Sequence, residues 1–296
     1  MFRMIALDMD GTLLDHQQRI SKENARAIEK AREKGIKVVL STGRALPGID
    51  DYLEQLNLKE EDEYSVTCSG AYVVNNINTK TVEEKYLSYE ELRGILQIFD
   101  PYQIHYNFYT QDKIYTKSNN FTTHIDAFAN KLPMEIVDFN HLNKDIKIIK
   151  ITLINEDLSV KDEITSIYPD IPLENPDIFS RTNDKFNKEL FKDITRLSQD
   201  LLEKYTLLKT TPYHIEILNK TSHKGNGVKR LAELYGIKKE EIICIGDSGN
   251  DRQMIEYAGL GVAMGNAVED IKQIADYVTL SNQEHGVAHV IEKFIL

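Results

Sequence analysis

Three short aliphatic runs each break off into a cluster of polar residues, and this recurrence limits the possible folds of the chain more than any other feature. Residues 2–8 lead into Asp8-Met9-Asp10-Gly11-Thr12, residues 37–40 into Ser41-Thr42-Gly43-Arg44, and residues 242–245 into Gly246-Asp247-Ser248-Gly249-Asn250-Asp251. Short apolar runs bounded by turn-forming residues read as buried strands. Between the first two lies a segment of helical character, residues 22–34, with Ser21 suited to cap its start and Gly35 to close its end. Ser65-Val66-Thr67-Cys68 is a further strand-like run closed by Ser69-Gly70, and residues 224–235 read as the helix that precedes residue 242. Strands alternating with helices predict a parallel sheet flanked by helices, a doubly wound, Rossmann-like α/β core.

The alternation stops near Glu84 and resumes near Asn219. Of the 25 Tyr and Phe in the chain, 17 fall in the 136 residues between these points, together with 6 of its 7 prolines. Such a shift in composition predicts a domain inserted into the first, so the core is expected over 1–83 and 220–296 and the insertion over 84–219. Within the insertion, residues 146–154, 205–208 and 214–218 read as strands and 190–204 as a helix, which predicts an α+β unit built on antiparallel sheet. Residues 169–176, with Pro169, Pro172 and Pro176, predict an irregular loop.

The charge balance of 36 basic against 47 acidic residues gives a net −11. The insertion holds 22 acids and 16 bases and the flanking segments 25 and 20, so neither offers the clustered Lys/Arg surface that nucleic acid requires. No run approaches the roughly 18 apolar residues of a membrane span. Asp8 and Asp10 fall where a signal peptide would place its apolar segment. Cys68 and Cys244 each sit in an apolar run and read as reduced, buried residues. A cytoplasmic protein is expected, with neither nucleic acid nor membrane as a partner.

In an open parallel sheet, ligands bind outside the carboxyl ends of the strands, so the three polar clusters are expected to meet in one crevice. Asp8, Asp10, Asp247 and Asp251 would then crowd four carboxylates together, which like-charge repulsion forbids unless a cation or proton intervenes. Oxygen ligands with room for water favour Mg²⁺. Lys224 and Thr42 add a point charge and a hydroxyl, both suited to phosphate oxygens. Each piece alone has a commoner explanation: a solvated loop, a turn, a surface lysine, a helix cap. Together, each following a strand signal, they supply the parts of phosphoryl transfer.

These residues resemble the haloacid dehalogenase-like (HAD) superfamily, and within it the Cof-like phosphatases that carry a type IIB α/β cap. Asp8-Met9-Asp10-Gly11-Thr12-Leu13 is similar to the first family motif, Ser41-Thr42-Gly43-Arg44 to the second, Lys224-Gly225 to the third and Gly246-Asp247-x-x-Asn250-Asp251 to the fourth. Residues 261–267 and 275–279 resemble the tail of the Cof-like branch. The resemblance implies a Mg²⁺-dependent phosphomonoester hydrolase for a small phosphorylated metabolite, with a sugar phosphate the class first expected. It implies Asp8 as the nucleophile that becomes an aspartyl phosphate, and Asp10 as the acid and then the base. Thr42 and Gly43 would hold phosphoryl oxygens, Lys224 would neutralise charge, and Asn250 would contact substrate. Mg²⁺ would sit on Asp8, the Asp10 backbone carbonyl and Asp247, with Asp251 direct or through water. The insertion would be the cap that selects substrate, longer than a minimal cap near residues 169–200.

Two rivals stay open: a phosphotransferase or mutase using the same intermediate, and a non-catalytic regulator that binds a phosphometabolite. Ser69-Gly70-Ala71 stands where many of these proteins have Asn-Gly-Ala. His285 and His289 are spaced as a helical pair but lack a third ligand, and read as ordinary helix residues. Tyr102, His105, Tyr106, Phe108 and Tyr109 read first as core and cross-strand pairs, and second as a pocket wall. His223 is expected near the site only through its neighbour Lys224.

Overall fold

The computed structural model describes residues 1–100, 104–154, 199–211 and 214–296. The predicted loop at 169–176, residues 190–198 of the predicted helix, and Tyr102 lie outside the described residues. The chain divides into two compact units, Met1–Glu84 with Ser222–Leu296, and Lys85–Thr221. The first segment carries β1 (Met4–Leu7), β2 (Lys37–Leu40), β3 (Tyr64–Thr67), β4 (Tyr72–Asn75) and β5 (Thr81–Glu84). The interposed unit carries β6 (His105–Tyr109), β7 (Ile114–Thr116), β8 (Met134–Ile136), β9 (Lys150–Ile154), β10 (Tyr205–Thr211) and β11 (His214–Asn219). The last segment adds β12 (Ile242–Gly246), β13 (Leu260–Ala263) and β14 (Tyr277–Val278).

In the first unit the sheet order is β14-β13-β12-β1-β2, every pair parallel. Alternate residues of these strands bury on opposite faces. Ile5, Leu7, Val38, Leu40, Ile243 and Ile245 join one apolar cluster with Ala27, Ile28 and Ala31 of the helix Lys22–Glu33 and Val290 and Ile291 of the helix Gly286–Phe294. Met4, Ala6, Val39, Ile242 and Cys244 join the other with Val228, Leu231 and Ala232 of the helix Lys224–Tyr235. Both faces are therefore covered, which is why these strands read as continuous apolar runs rather than alternating ones. Ser21 caps Lys22–Glu33 as expected, accepting from the Asn24 N–H at 3.1 Å.

β3, β4 and β5 form a separate antiparallel sheet, joined to the main one by an isolated bridge from Ser41 to Val66. The run expected to include Cys68 ends one residue sooner: Cys68 and Ser69 have φ of +50° and +55°. Ser69 thus occupies the left-handed region that, among residues other than glycine, Asn and Asp adopt most readily.

The interposed unit is a six-stranded sheet, β10-β11-β9-β6-β7-β8, antiparallel except for β7 with β8. Its apolar face packs Tyr106, Phe108, Ile151, Leu153, Ile215 and Ile217 against Leu92, Ile95, Leu96 and Phe99 of the helix Tyr89–Phe99. Tyr106 and Phe108 are therefore core residues. The strand expected over 146–154 is regular only from Lys150, although Ile148 bridges to Leu87.

The helix Lys224–Tyr235 lies so close to β3 that a Cβ on Gly227 would meet Val66 Cγ1 at 2.4 Å. Gly227→Ala is expected to destabilise the protein by about 1–3 kcal/mol through overpacking. Val66→Ala should recover part of that loss in a double-mutant cycle followed by chemical denaturation; strictly additive losses would contradict the contact.

Candidate active site

β1 is where the strand order reverses, with β2 on one side and β12, β13 and β14 on the other. A crevice opens at such a switch point, outside the carboxyl ends of the strands. The Asp8 N–H donates to the Ile245 carbonyl at 3.0 Å, so Asp8 is the last residue of its run held by the sheet. On the other side the Ser41 N–H donates to the Leu7 carbonyl at 2.8 Å, which brings Thr42 to the same edge.

Asp8, Asp247 and Asp251 each bring a carboxylate oxygen within 4.8 Å of the others, a potential metal-holding group among the described residues. Lys224 has no exposed surface, and its Nζ lies 2.5 Å from Asp8 Oδ1 and 2.6 Å from Asp251 Oδ1. Burial alone would lower its pKa, and the two carboxylates reverse the direction and raise it. Asp251 Oδ2 accepts from the N–H groups of Asp247 and Ser248, both at 3.0 Å, so one carboxylate ties the lysine to the turn after β12. Asp247 in turn meets the first loop: Thr12 Oγ1 donates to its Oδ1 at 3.3 Å. A Cβ on Gly11 would come 2.5 Å from its Oδ2, and Gly11 has a φ of +81°. Glycine is required there twice over, by conformation and by space.

One lysine faces three carboxylates. Burial first, and then the Asp251 charge, push the Asp8 carboxyl up to about 7 against the opposing pull of Lys224. Burial, followed by Asp8 and Asp251, pushes Asp247 well above the usual carboxylate range. The cluster therefore takes up a proton or a cation more readily than separate carboxylates do.

Asp10 is held differently. Arg44 grips it with two prongs, Nε on Oδ2 at 2.9 Å and Nη2 on Oδ1. Partial desolvation works upward on the Asp10 carboxyl, whose side chain is 48% exposed, but the charge and hydrogen bonds of Arg44 outweigh it and hold the group below its usual value. No role for Arg44 is predicted from sequence; the available signal was a guanidinium closing one of the polar clusters. The buried Thr42 Oγ1 accepts from the Arg44 N–H at 3.1 Å. Gly43 lies between them, on the same loop. Asn250 is buried, with its Oδ1 accepting from the Ser248 hydroxyl at 2.7 Å.

His223 is the N-cap of the helix Lys224–Tyr235, its Nδ1 accepting from the Asn226 N–H at 3.2 Å. Burial lowers its pKa and favours the neutral acceptor form. His285 and His289 part company: His289 faces the Tyr277 hydroxyl at 3.1 Å, and His285 lies 3.6 Å from Glu23.

A doubly wound sheet with buried carboxylates and a lysine at its switch point is suited to phosphoryl-transfer chemistry. The sequence matches the haloacid dehalogenase-like hydrolase family over residues 5–291, and the chain belongs to that family. It is 35% identical over 298 residues to YxeH of Bacillus subtilis (strain 168), a provisionally named phosphatase, covering 100% of this chain and 99% of that one. It is 31% identical over 294 residues to the 5-amino-6-(5-phospho-D-ribitylamino)uracil phosphatase YcsE of the same organism, covering 99% and 96%. A haloacid dehalogenase-like hydrolase from Bacteroides thetaiotaomicron has the same fold, with a TM-score of 0.75 at 27% identity and both chains fully covered. The subclass IIB sugar phosphatase BT4131 shares the fold with a TM-score of 0.72 at 24% identity, covering 99% of this chain and 98% of that one. No helix among the described residues is long and apolar enough to cross a membrane.

Removing the buried lysine charge leaves its carboxylates facing each other. Lys224→Met is expected to cost about 3–5 kcal/mol at pH 8. The loss should be smaller at pH 5, where the raised carboxyls of the folded state hold protons that the unfolded chain releases. Denaturant melts at the two pH values check this, and an equal loss at both would contradict it.

Proposed function

We propose that this enzyme hydrolyses the phosphate ester of a small polyhydroxylated metabolite, through a phosphorylated Asp8. The observation that carries the proposal is the buried contact of Lys224 with Asp8, beside an acid, Asp10, kept outside that contact. Lys224 fixes the Asp8 carboxylate and offsets its charge as a phosphoryl dianion approaches. Asp8 attacks phosphorus, the bond to the leaving oxygen breaks, and Asp10 gives its proton to the departing alkoxide. Asp10, now a carboxylate, takes a proton from water as that water attacks phosphorus and frees Asp8.

Thr42 Oγ1 accepts from the Arg44 N–H, so its own proton is available to a phosphoryl oxygen. The Gly43 N–H is the companion donor. Asn250 keeps its amide N–H groups for the substrate, because its oxygen accepts from Ser248.

The residues present suit a divalent cation. Three carboxylates within 4.8 Å share one lysine, and both raised carboxyls call for further positive charge. An all-oxygen set with carboxylates favours Mg²⁺, which Asp8, Asp247 and the Asp10 carbonyl would hold. Asp251, whose oxygens already accept from Lys224 and two N–H groups, would contribute directly or through water. When bound, the cation supplies the charge that keeps Asp8 ionised near neutral pH and screens the phosphoryl oxygens. For the substrate, the activity named for YcsE, on the phosphate of a ribityl chain, supports a polyol or sugar phosphate. The interposed unit is the proposed cap, carrying substrate selection.

Asp8→Asn should lower kcat by on the order of 10³ or more while still unfolding in one cooperative transition, since Asp251 remains to pair with Lys224. A variant retaining most of its activity would remove Asp8 as nucleophile, and a phosphorylated acceptor in place of free phosphate would favour a transferase. Added Mg²⁺ should raise Tm more at pH 8 than at pH 5, because protons compete for Asp8 as pH falls through about 7. A gain that grows toward pH 5 would contradict the proposed site.

A further inference from the structure

Gln18 adopts a φ of +59°, a left-handed conformation that is strained for a residue other than glycine. Both polar ends of this strained residue are engaged. Its Oε1 accepts from Arg44 Nη2, and its carbonyl accepts from the Tyr52 hydroxyl at 3.0 Å. The Tyr52 ring lies 5.6 Å from the Arg44 guanidinium carbon. The turn that presents Gln18 is fixed by Asp15, whose Oδ1 accepts from the N–H groups of Gln17 at 2.8 Å and Arg19 at 2.9 Å.

Arg44 Nη2 donates to Asp10 Oδ1 and to Gln18 Oε1, and the Gln18 side chain also hydrogen-bonds to the Asp10 carboxyl itself. A planar guanidinium that meets Asp10 through Nε and Nη2 has its remaining freedom in the tilt of that plane. Gln18 on the outer edge and the Tyr52 ring against the guanidinium plane restrict that freedom.

We propose that Gln18 is a positioning residue for Asp10, acting on it directly and through the Arg44 guanidinium, with Tyr52 as its support. The proposal rests on the assignment of Asp10 as the acid that protonates the leaving oxygen. The Asp10 O–H bond breaks as the leaving oxygen takes the proton, and this transfer is efficient only when donor and acceptor are held at hydrogen-bonding distance. A loosened Arg44 spreads the Asp10 carboxyl over several orientations, and the loss falls on leaving groups that need the proton.

The test is the dependence of kcat/KM on the leaving group, measured with substituted phenyl phosphates on the full chain with Mg²⁺. p-Nitrophenolate departs without a proton, and phenolate needs one. Gln18→Gly adopts the native φ without strain, so it removes the amide while sparing the fold. The wild type should lose little between p-nitrophenyl and phenyl phosphate, whereas Gln18→Gly should lose about tenfold more on phenyl phosphate. Tyr52→Phe, which keeps the ring and drops the hydroxyl, should shift the ratio the same way by a smaller factor. Equal losses by Gln18→Gly on both esters, or none on either, would overturn the positioning role alone. A wild type as steeply dependent on the leaving group as Asp10→Asn would overturn the acid role of Asp10, and Gln18 with it. A wild type that releases phosphate from neither ester nor from any of a panel of sugar and polyol phosphates would overturn the hydrolase assignment itself.

Discussion

A lysine ammonium with no exposed surface survives in a folded protein only where carboxylates replace the water it has lost. Lys224 meets that condition through Asp8, 216 residues away in sequence, and through Asp251. This one cation joins the end of β1, the start of the helix Lys224–Tyr235 and the turn after β12. The second oxygen of Asp251 extends the link into the backbone of that turn, and Gly11 lets Asp247 close against the first loop. The site thus depends on both ends of the chain, and the interposed unit separates them in sequence without interrupting the sheet that holds them together.

The two acids of the first loop are drawn apart by their surroundings. Asp8 is pushed up by burial and by like charge, and Asp10 is held down by Arg44. In the proposed first step the nucleophile must be ionised and the acid protonated, which is the opposite assignment. A divalent cation beside Asp8 lowers its pKa, and a phosphoryl dianion beside Asp10 raises that of the acid. On this account the substrate complex, rather than the protein alone, sets the protonation states for reaction, and the role of the chain is to hold both carboxyls where those charges arrive.

Much of this was legible in the sequence because the site lies at strand ends. An apolar run followed by a polar cluster marks both the strand and the edge at which its ligands gather, and three such runs locate Asp8, Thr42 and Asp247. What the sequence conceals is side-chain pairing across loops. Nothing in a 34-residue separation says that Arg44 will grip Asp10, or that Asp251 will bond a lysine and two amides at once. The interposed unit was less legible for a different reason. β6 alternates His105, Tyr106, Asn107, Phe108 and Tyr109, with aromatic rings on both faces, which hides the period that marks a strand. The helix Tyr89–Phe99 does carry a signal, the reciprocal capping of Ser88 and Glu91, but a short local signal does not reveal which sheet it covers.

The central claim is that the phosphoryl group passes through Asp8, and trapping it there is the direct test. Asp10→Asn can still be phosphorylated by p-nitrophenyl phosphate, whose leaving group needs no proton, but it lacks the base that hydrolyses the intermediate. Acid-quenched Asp10→Asn with Mg²⁺ should show a burst of p-nitrophenol close to one equivalent of enzyme, and mass spectrometry should find one phosphoryl group on Asp8. A burst of that size with the phosphoryl group on another residue, or on none, would contradict the account.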